Sequence, residues 1–196
     1  MKKRTAAIRR ITRETQINVR INLDGSGSAQ VNTGIPFLDH MLTLLTRHSL
    51  TDLSLKASGD LAVDLHHTVE DIGLCLGSVL NKALGTRKGI KRYGFAYAPM
   101  DDALSRAVID LGGRPFLVCQ VANKRRKIMD FDLGLIPEFL QSFCVQGKLN
   151  LHVAQLYGHE PHHAYESLFK ALALALRSAA AYDRNEKGVP SSKGVL

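Results

Sequence analysis

The sequence predicts an α+β fold in which one unit, a small sheet with two helices on one face, is written twice in tandem. Two observations carry that prediction. Strand-like and helix-like segments recur in the same order in each half, ending helix, strand, helix. More specifically, His66-His67-Thr68-Val69-Glu70 and His162-His163-Ala164-Tyr165-Glu166 each open the last helix of their half, preceded by Asp52-Leu53-Ser54-Leu55 and Asn150-Leu151-His152-Val153. The two units would occupy residues 1–88 and 89–196, the second ending in a tail. No linker-like stretch separates them, so two units that bury their open faces on each other should form one compact body.

Each element has its own signal. Ile17 to Leu23 alternates apolar and polar, Asp24-Gly25-Ser26-Gly27 supplies turn chemistry and Ala29 to Val31 resumes, which predicts a β-hairpin. From Pro36 to His48, Phe37, Leu38, Met41, Leu42, Leu44 and Leu45 fall at helical spacing behind a proline suited to a first turn. Leu53 to Ala57 alternates again, and His66 to Leu84 carries Val69, Ile72, Leu76, Val79 and Leu80 on one face before Gly85 stops the helix. The second half reads as strands at Tyr93–Ala98, Ser105–Leu111 and Pro115–Ala122, a helix from Pro137 to Val145, a strand at Leu149–Leu156 and a helix from His162 to Tyr182.

Composition narrows the function classes. With 45% hydrophobic and 22% charged residues among 196, the chain is neither disordered nor fibrous. Lys plus Arg exceed Asp plus Glu by 26 to 18, and a net charge of +8 draws anions of several kinds. An RNA-binding module is one reading of that charge. Against it, aromatic residues are only 6%, no aromatic-and-basic nucleic-acid pattern is present, and the basic residues are dispersed. Cys75, Cys119 and Cys144 are odd in number and form no CxxC pair, which points to core thiols in a reducing compartment. Met1 to Gln16 has no apolar run, and the apolar stretch Leu168–Ala181 is interrupted by Lys170 and Arg177 and is too short to cross a bilayer. The expectation is a soluble, cytoplasmic protein without membrane or nucleic-acid partners.

The histidines are the informative residues. On a helix His66 and Glu70 share a face, whereas His67 is turned by about 100°. One His-His-x-x-Glu copy can therefore serve two metal ions, and the copy at His162, His163 and Glu166 can do the same. Imidazole with carboxylate suits divalent Mn, Fe or Zn, and the lack of thiolate argues against a structural zinc. His40, on the first-half helix, is the natural additional ligand. Aligning Asp39-His40-Met41-Leu42 with Pro137-Glu138-Phe139-Leu140 puts Glu138 at the matching position. His48, His152 and His159 follow no such pattern and are assigned to surface or core.

Taken with Gly34-Ile35-Pro36-Phe37-Leu38-Asp39-His40-Met41, Lys170 and the tail Pro190-Ser191-Ser192-Lys193-Gly194, these motifs closely resemble the imidazoleglycerol-phosphate dehydratase family over essentially the whole chain. The resemblance implies two repeats of the left-handed split βαβ fold of ribosomal-protein-S5 type. It also implies two Mn2+ ions per active site, and trimers assembled into a 24-subunit shell in which neighbouring subunits share ligands. The length implies a monofunctional version of the enzyme. Carried over by position, the metal ligands are His40, His66, His67, Glu70, His162, His163 and Glu166, with Glu138 where a sixth histidine is expected. The substrate contacts are Glu14, Arg92, Arg114, Lys170, Ser191, Ser192 and Lys193. The implied reaction converts D-erythro-imidazoleglycerol phosphate to imidazole acetol phosphate in histidine biosynthesis.

The inventory suits that chemistry. Losing water from a glycerol side chain requires removal of a C–H proton that is not acidic by itself, and the attached imidazole is the only electron sink. Two metal ions holding the ring as imidazolate would let it assist departure of the C3 hydroxyl through a diazafulvene-like intermediate. A carboxylate must move the proton, and the candidates are Glu14, Glu70 and Glu166, with Glu14 preferred because it is not a ligand. Two arginines, a lysine and a Ser-Ser-Lys-Gly tail supply forked and point-charge contacts for phosphate. A dinuclear phosphomonoester hydrolase would use the same parts. Its product would be free phosphate, whereas a dehydratase yields an enolisable ketone.

Overall fold

Ile17, Val19 and Ile21 turn to the core while Asn18 and Arg20 face outward, and this alternation makes Thr15–Asn22 the axis of the first sheet. The computed structural model describes residues 3–121 and 127–194 of the chain. Its elements in order are β1 (Thr5–Ile11), β2 (Thr15–Asn22), β3 (Ala29–Asn32), α1 (Pro36–Ser49), β4 (Asp52–Gly59) and α2 (His66–Leu84). There follow β5 (Tyr93–Met100), β6 (Ala103–Asp110), β7 (Phe116–Gln120), β8 (Lys127–Ile128), β9 (Phe131–Asp132), α3 (Leu135–Gly147), β10 (Asn150–Tyr157) and α4 (Pro161–Ala180). Ala122, at the end of one expected strand, lies outside the described residues.

The two four-stranded sheets share one topology, β1-β2-β4-β3 and β5-β6-β10-β7. In each, the last strand of the unit inserts between the second and the third, antiparallel to one and parallel to the other. This corrects the hairpin expected at residues 17–31. Strand β2 pairs with β1, from Thr5↔Asn22 to Ile11↔Gln16, and β3 pairs only with β4. The intervening loop does not close a ladder because it folds onto Asp52. That carboxylate accepts the backbone N–H of Ser26 at 2.8 Å and of Ser28 at 3.1 Å, while Asn22 donates to its other oxygen. Strand β1 gave no sequence signal because it is a half-exposed edge with two adjacent arginines and no buried residue.

The units join through their helices: α1 packs on α4 and α2 on α3, so the helices form a middle layer between the sheets. The expectation of open faces buried on each other is thus met by the helical faces, and no element among the described residues covers the outer face of either sheet. Helix α2 is apolar toward the sheet, through Val69, Ile72 and Leu76, and small toward α3. A Cβ on Gly73 would stand 2.6 Å from the Phe139 carbonyl oxygen, and one on Gly77 2.4 Å from that of Phe143. Only glycine allows the two backbones so close. At the far end of α2, Gly85 takes φ 56° and stops the helix where the sequence reading placed its end. Helix α4 ends at Ala180, short of the expected Tyr182, because Ala181 is extended and Tyr182 bridges to Ile90.

Cys75 and Cys144 are buried and free, and burial pushes their thiols up to about 11 and about 12. Among the described residues no helix is long and apolar enough to cross a membrane.

Candidate functional site

The crossing of α1 on α4 brings His40 to the first turn of α4. His40 Nε2 and His162 Nε2 each lie 3.3 Å from Glu166 Oε2, and the ligand atoms of the three residues fall within 4.8 Å of one another. This is the only such cluster of three or more His, Cys, Asp or Glu side chains among the described residues. Lys170, one turn on, places Nζ 2.7 Å from Glu166 Oε1. Burial alone would raise the Glu166 carboxyl, but the hydrogen bonds from Lys170 and His40 outweigh it and hold the group below its ordinary value. Helix α4 begins here because Pro161 suits its first turn and the Glu160 side chain accepts the His162 N–H.

The first-half copy is looser. His66 Nε2 lies 3.5 Å from Glu70 Oε2, the same i, i+4 pairing. The Asp64 carboxylate accepts the His66 N–H at 2.8 Å and so starts α2 at this histidine. Glu138 is exposed on the first turn of α3 and lines, together with His66 and Asp132, a cavity of about 540 Å³. It therefore faces the same space as His66, as His40 faces His162, without drawing into a three-ligand group.

The middle histidines are held differently. His67 Nδ1 lies 3.0 Å from Asp60 Oδ2 and 4.0 Å from Glu14 Oε2, while His163 Nδ1 lies 2.7 Å from Asp102 Oδ1. A carboxylate on Nδ1 fixes that nitrogen as the donor and turns Nε2 outward; His163 Nε2 stands 3.5 Å from Asp101 Oδ2. Asp60 and Asp102 hold the two imidazoles above their ordinary pKa by these hydrogen bonds. Asp102 also accepts the N–H groups of His159 and Glu160, which, with His163, hold its carboxyl well below the usual range. Sequence reasoning missed both aspartates. Asp102 lies in the β5–β6 turn, 61 residues from His163, and no spacing rule reaches that far.

Apart from Lys170, the anion-binding candidates lie elsewhere in the chain. Arg92 makes a forked pair with Asp110, at 2.7 and 3.0 Å, and donates to the Pro190 carbonyl at 2.8 Å, which ties down the tail carrying Ser191, Ser192 and Lys193. Its backbone N–H bonds Ala179 at the last turn of α4, and its carbonyl accepts Leu111 N–H, three residues before the exposed Arg114. The histidine cluster sits on the first turn of the same helix. Twenty residues of helix span about 30 Å. Within one chain, then, Lys170 joins the histidines and the other phosphate candidates stand at the opposite end of α4.

The donor set suits a divalent first-row ion, since imidazole and carboxylate converge at ligand spacing and carboxylates orient the imidazoles. A family model described as imidazoleglycerol-phosphate dehydratase matches residues 33–176. The chain belongs to the imidazoleglycerol-phosphate dehydratase family. The imidazoleglycerol-phosphate dehydratase of Syntrophobacter fumaroxidans is 50% identical over 194 residues, covering 99% of this chain and 98% of its own. That of Nitrobacter hamburgensis is 55% identical over 194 residues, covering 98% of each. The crystal structure of imidazoleglycerol-phosphate dehydratase from Staphylococcus aureus superposes with a TM-score of 0.83 at 36% identity, over 91% of this chain and 99% of that one. The span matched by the imidazoleglycerol-phosphate dehydratase model holds His40, both His-His-x-x-Glu copies, Arg92, Arg114, Glu138 and Lys170. Glu14 and the Ser191–Lys193 tail fall outside it.

Proposed function

We propose that this chain dehydrates imidazoleglycerol phosphate to imidazole acetol phosphate, as a metal-dependent hydro-lyase of histidine biosynthesis. The observation that carries this is the convergence of His40, His162 and Glu166 at ligand spacing in a member of this family. His40, His162 and Glu166 would hold one ion and His66, Glu70 and Glu138 the other, with His67 and His163 reaching ions from the adjoining face of each helix. When bound, two manganese ions, with iron or zinc as alternatives, would supply Lewis acidity and a template for the imidazole ring.

The residues divide the remaining work. Glu14, beside His67, takes the carbon-bound proton, and the neighbouring hydroxyl leaves as water once it gains a proton. The resulting enol rearranges to the ketone. Arg92, Arg114, Lys170, Ser191, Ser192 and Lys193 bind the phosphate and so hold the reacting carbons in place.

Apart from Lys170, a single chain separates the phosphate-binding candidates from the histidines by the length of α4, and this supports a site completed by neighbouring copies. The outer face of the second sheet supports the same reading. Tyr93, Phe95, Tyr97 and Phe116 are 58%, 72%, 54% and 58% exposed there, an apolar surface suited to burial in trimers and a 24-subunit shell. We take residues 1–88 and 89–196 as the two repeats, supported by the equal strand orders, and a cytoplasmic setting, supported by the three free thiols.

Incubation of the purified protein with imidazoleglycerol phosphate and Mn2+ tests the proposal. An enolisable ketone that retains its phosphate, and that chelation prevents, supports it. Release of free phosphate would favour the hydrolase reading.

A further inference from the structure

Asp71 follows Glu70 on α2 but points the other way, into the first sheet, where it is only 7% exposed. Its Oδ1 accepts Arg10 Nε at 3.0 Å, with Arg10 Nη2 at 2.9 Å, and its Oδ2 accepts the hydroxyl of Thr15. Arg10 lies near the end of β1 and Thr15 begins β2. One carboxylate on the helix therefore grips both legs of the turn between the strands.

The turn itself is stiff. Thr12 Oγ1 accepts the N–H of Glu14 at 3.1 Å and of Thr15 at 2.9 Å, and the Thr12 N–H bonds the Thr15 carbonyl. Glu14 stands at its tip, with its carboxylate 4.0 Å from His67 Nδ1. A part-buried ion pair is a weak source of stability, since solvent reaches the Arg10 side chain and screens its attraction. What an apolar pair would not supply is a directional link from α2, which carries His66, His67 and Glu70, to the turn that carries Glu14.

We propose that Asp71 is a positioning residue, clamping the β1–β2 turn to α2 through Arg10 and Thr15 and so setting where the Glu14 carboxylate stands during the reaction. This rests on the reading that Glu14 moves the carbon-bound proton. A displacement on the order of 1 Å at such a group costs as much as about 100-fold in rate.

The test compares Asp71→Asn, Thr15→Val, Glu14→Gln and the double variant Glu14→Gln/Asp71→Asn in the manganese-loaded protein, measuring kcat, KM and bound metal for each. Asp71→Asn should lower kcat by about 10- to 100-fold with KM and metal content within about twofold of the parent. Thr15→Val should give a smaller loss of the same kind. It keeps the Arg10–Asp71 pair and carries the test alone if Asp71→Asn does not fold. The double variant should be no slower than Glu14→Gln, since a clamp acting through Glu14 has nothing left to position. Losses that multiply in the double variant, or that track lost metal, overturn the proposal. A Glu14→Gln protein with parental kcat would refute the role of Glu14 itself, and the clamp with it.

Discussion

His163 donates its Nδ1–H to Asp102 at 2.7 Å, and the same aspartate receives the two backbone N–H groups that lead into α4. One carboxylate thus both orients the imidazole and holds the segment that enters its helix. Asp102→Asn should weaken metal binding by about 10- to 100-fold, read by competition with a chelator. Asp60→Asn should act in the same direction on His67 but less, because Asp60 Oδ1 has no hydrogen-bond partner among the described residues. Equal affinities for parent and both variants would show that these carboxylates do not set ligand geometry.

Glu138 faces the cavity that His66 lines. As a ligand it should tolerate replacement by histidine, and Glu138→Ala should lose roughly tenfold or more in metal affinity, about 1.4 kcal/mol. Superimposable metal titrations for parent, Glu138→His and Glu138→Ala would leave it as a surface carboxylate at the start of α3.

Because α4 separates His163 from Arg92, inactive chains should complement each other. His163→Ala and Arg92→Ala proteins, each inactive alone, should recover about a quarter of parental activity when co-assembled in equal amounts, if each site draws on two chains at random. No recovery in mixed assemblies would place both sets of residues in one subunit's site.

The close approach of α2 and α3 at Gly77 leaves no space for a methyl group, since a Cβ there would meet backbone at 2.4 and 2.7 Å. Gly77→Ala should cost about 1–3 kcal/mol and lower Tm, with metal content falling in parallel because α2 carries His66, His67 and Glu70. An unchanged Tm would show that the helices can separate freely.

The Asp52 carboxyl is held below its ordinary value by the N–H groups of Ser26 and Ser28. A depressed carboxyl contributes stability above its unfolded value, about pH 4, and that contribution is lost as pH falls through the folded value. Asp52→Ala should therefore lower the Tm of metal-free protein by roughly 2–4 °C at neutral pH, for about 1 kcal/mol of lost hydrogen bonding. The gap should close in acid. A gap independent of pH would mean that the charge of Asp52 plays no part.

Local signals carried the sequence reading a long way. Gly85 marked the end of α2, Pro36 the start of α1, and the paired His-His-x-x-Glu runs located both helix starts that carry the candidate ligands. Pairing between strands was less legible. The turn chemistry of Asp24–Gly27 suggests a hairpin, and only the hydrogen bonds to the distant Asp52 show that the loop instead carries the chain past β4. The same holds at the site. His162 and Glu166 are four residues apart and could be read as a pair, whereas Asp102 and Asp71 act across the fold with nothing local to reveal them, and Asp60, seven residues before His67, stands outside its helix and so at no helical spacing from it. The separation of Arg92 from His163 is also invisible in sequence, because it depends on the direction in which α4 runs.

The pairing of α1 with α4 and of α2 with α3 is one contact made twice. A chain of half this length would leave its helical face uncovered and would have to meet a second copy of itself, and two identical copies could offer only identical ligands. Placing two sheets of the same strand order in one polypeptide lifts that constraint. Equivalent positions can then diverge separately, and here one carries the imidazole of His40 and the other the carboxylate of Glu138. Two helical contacts of the same kind can therefore present surfaces of different charge.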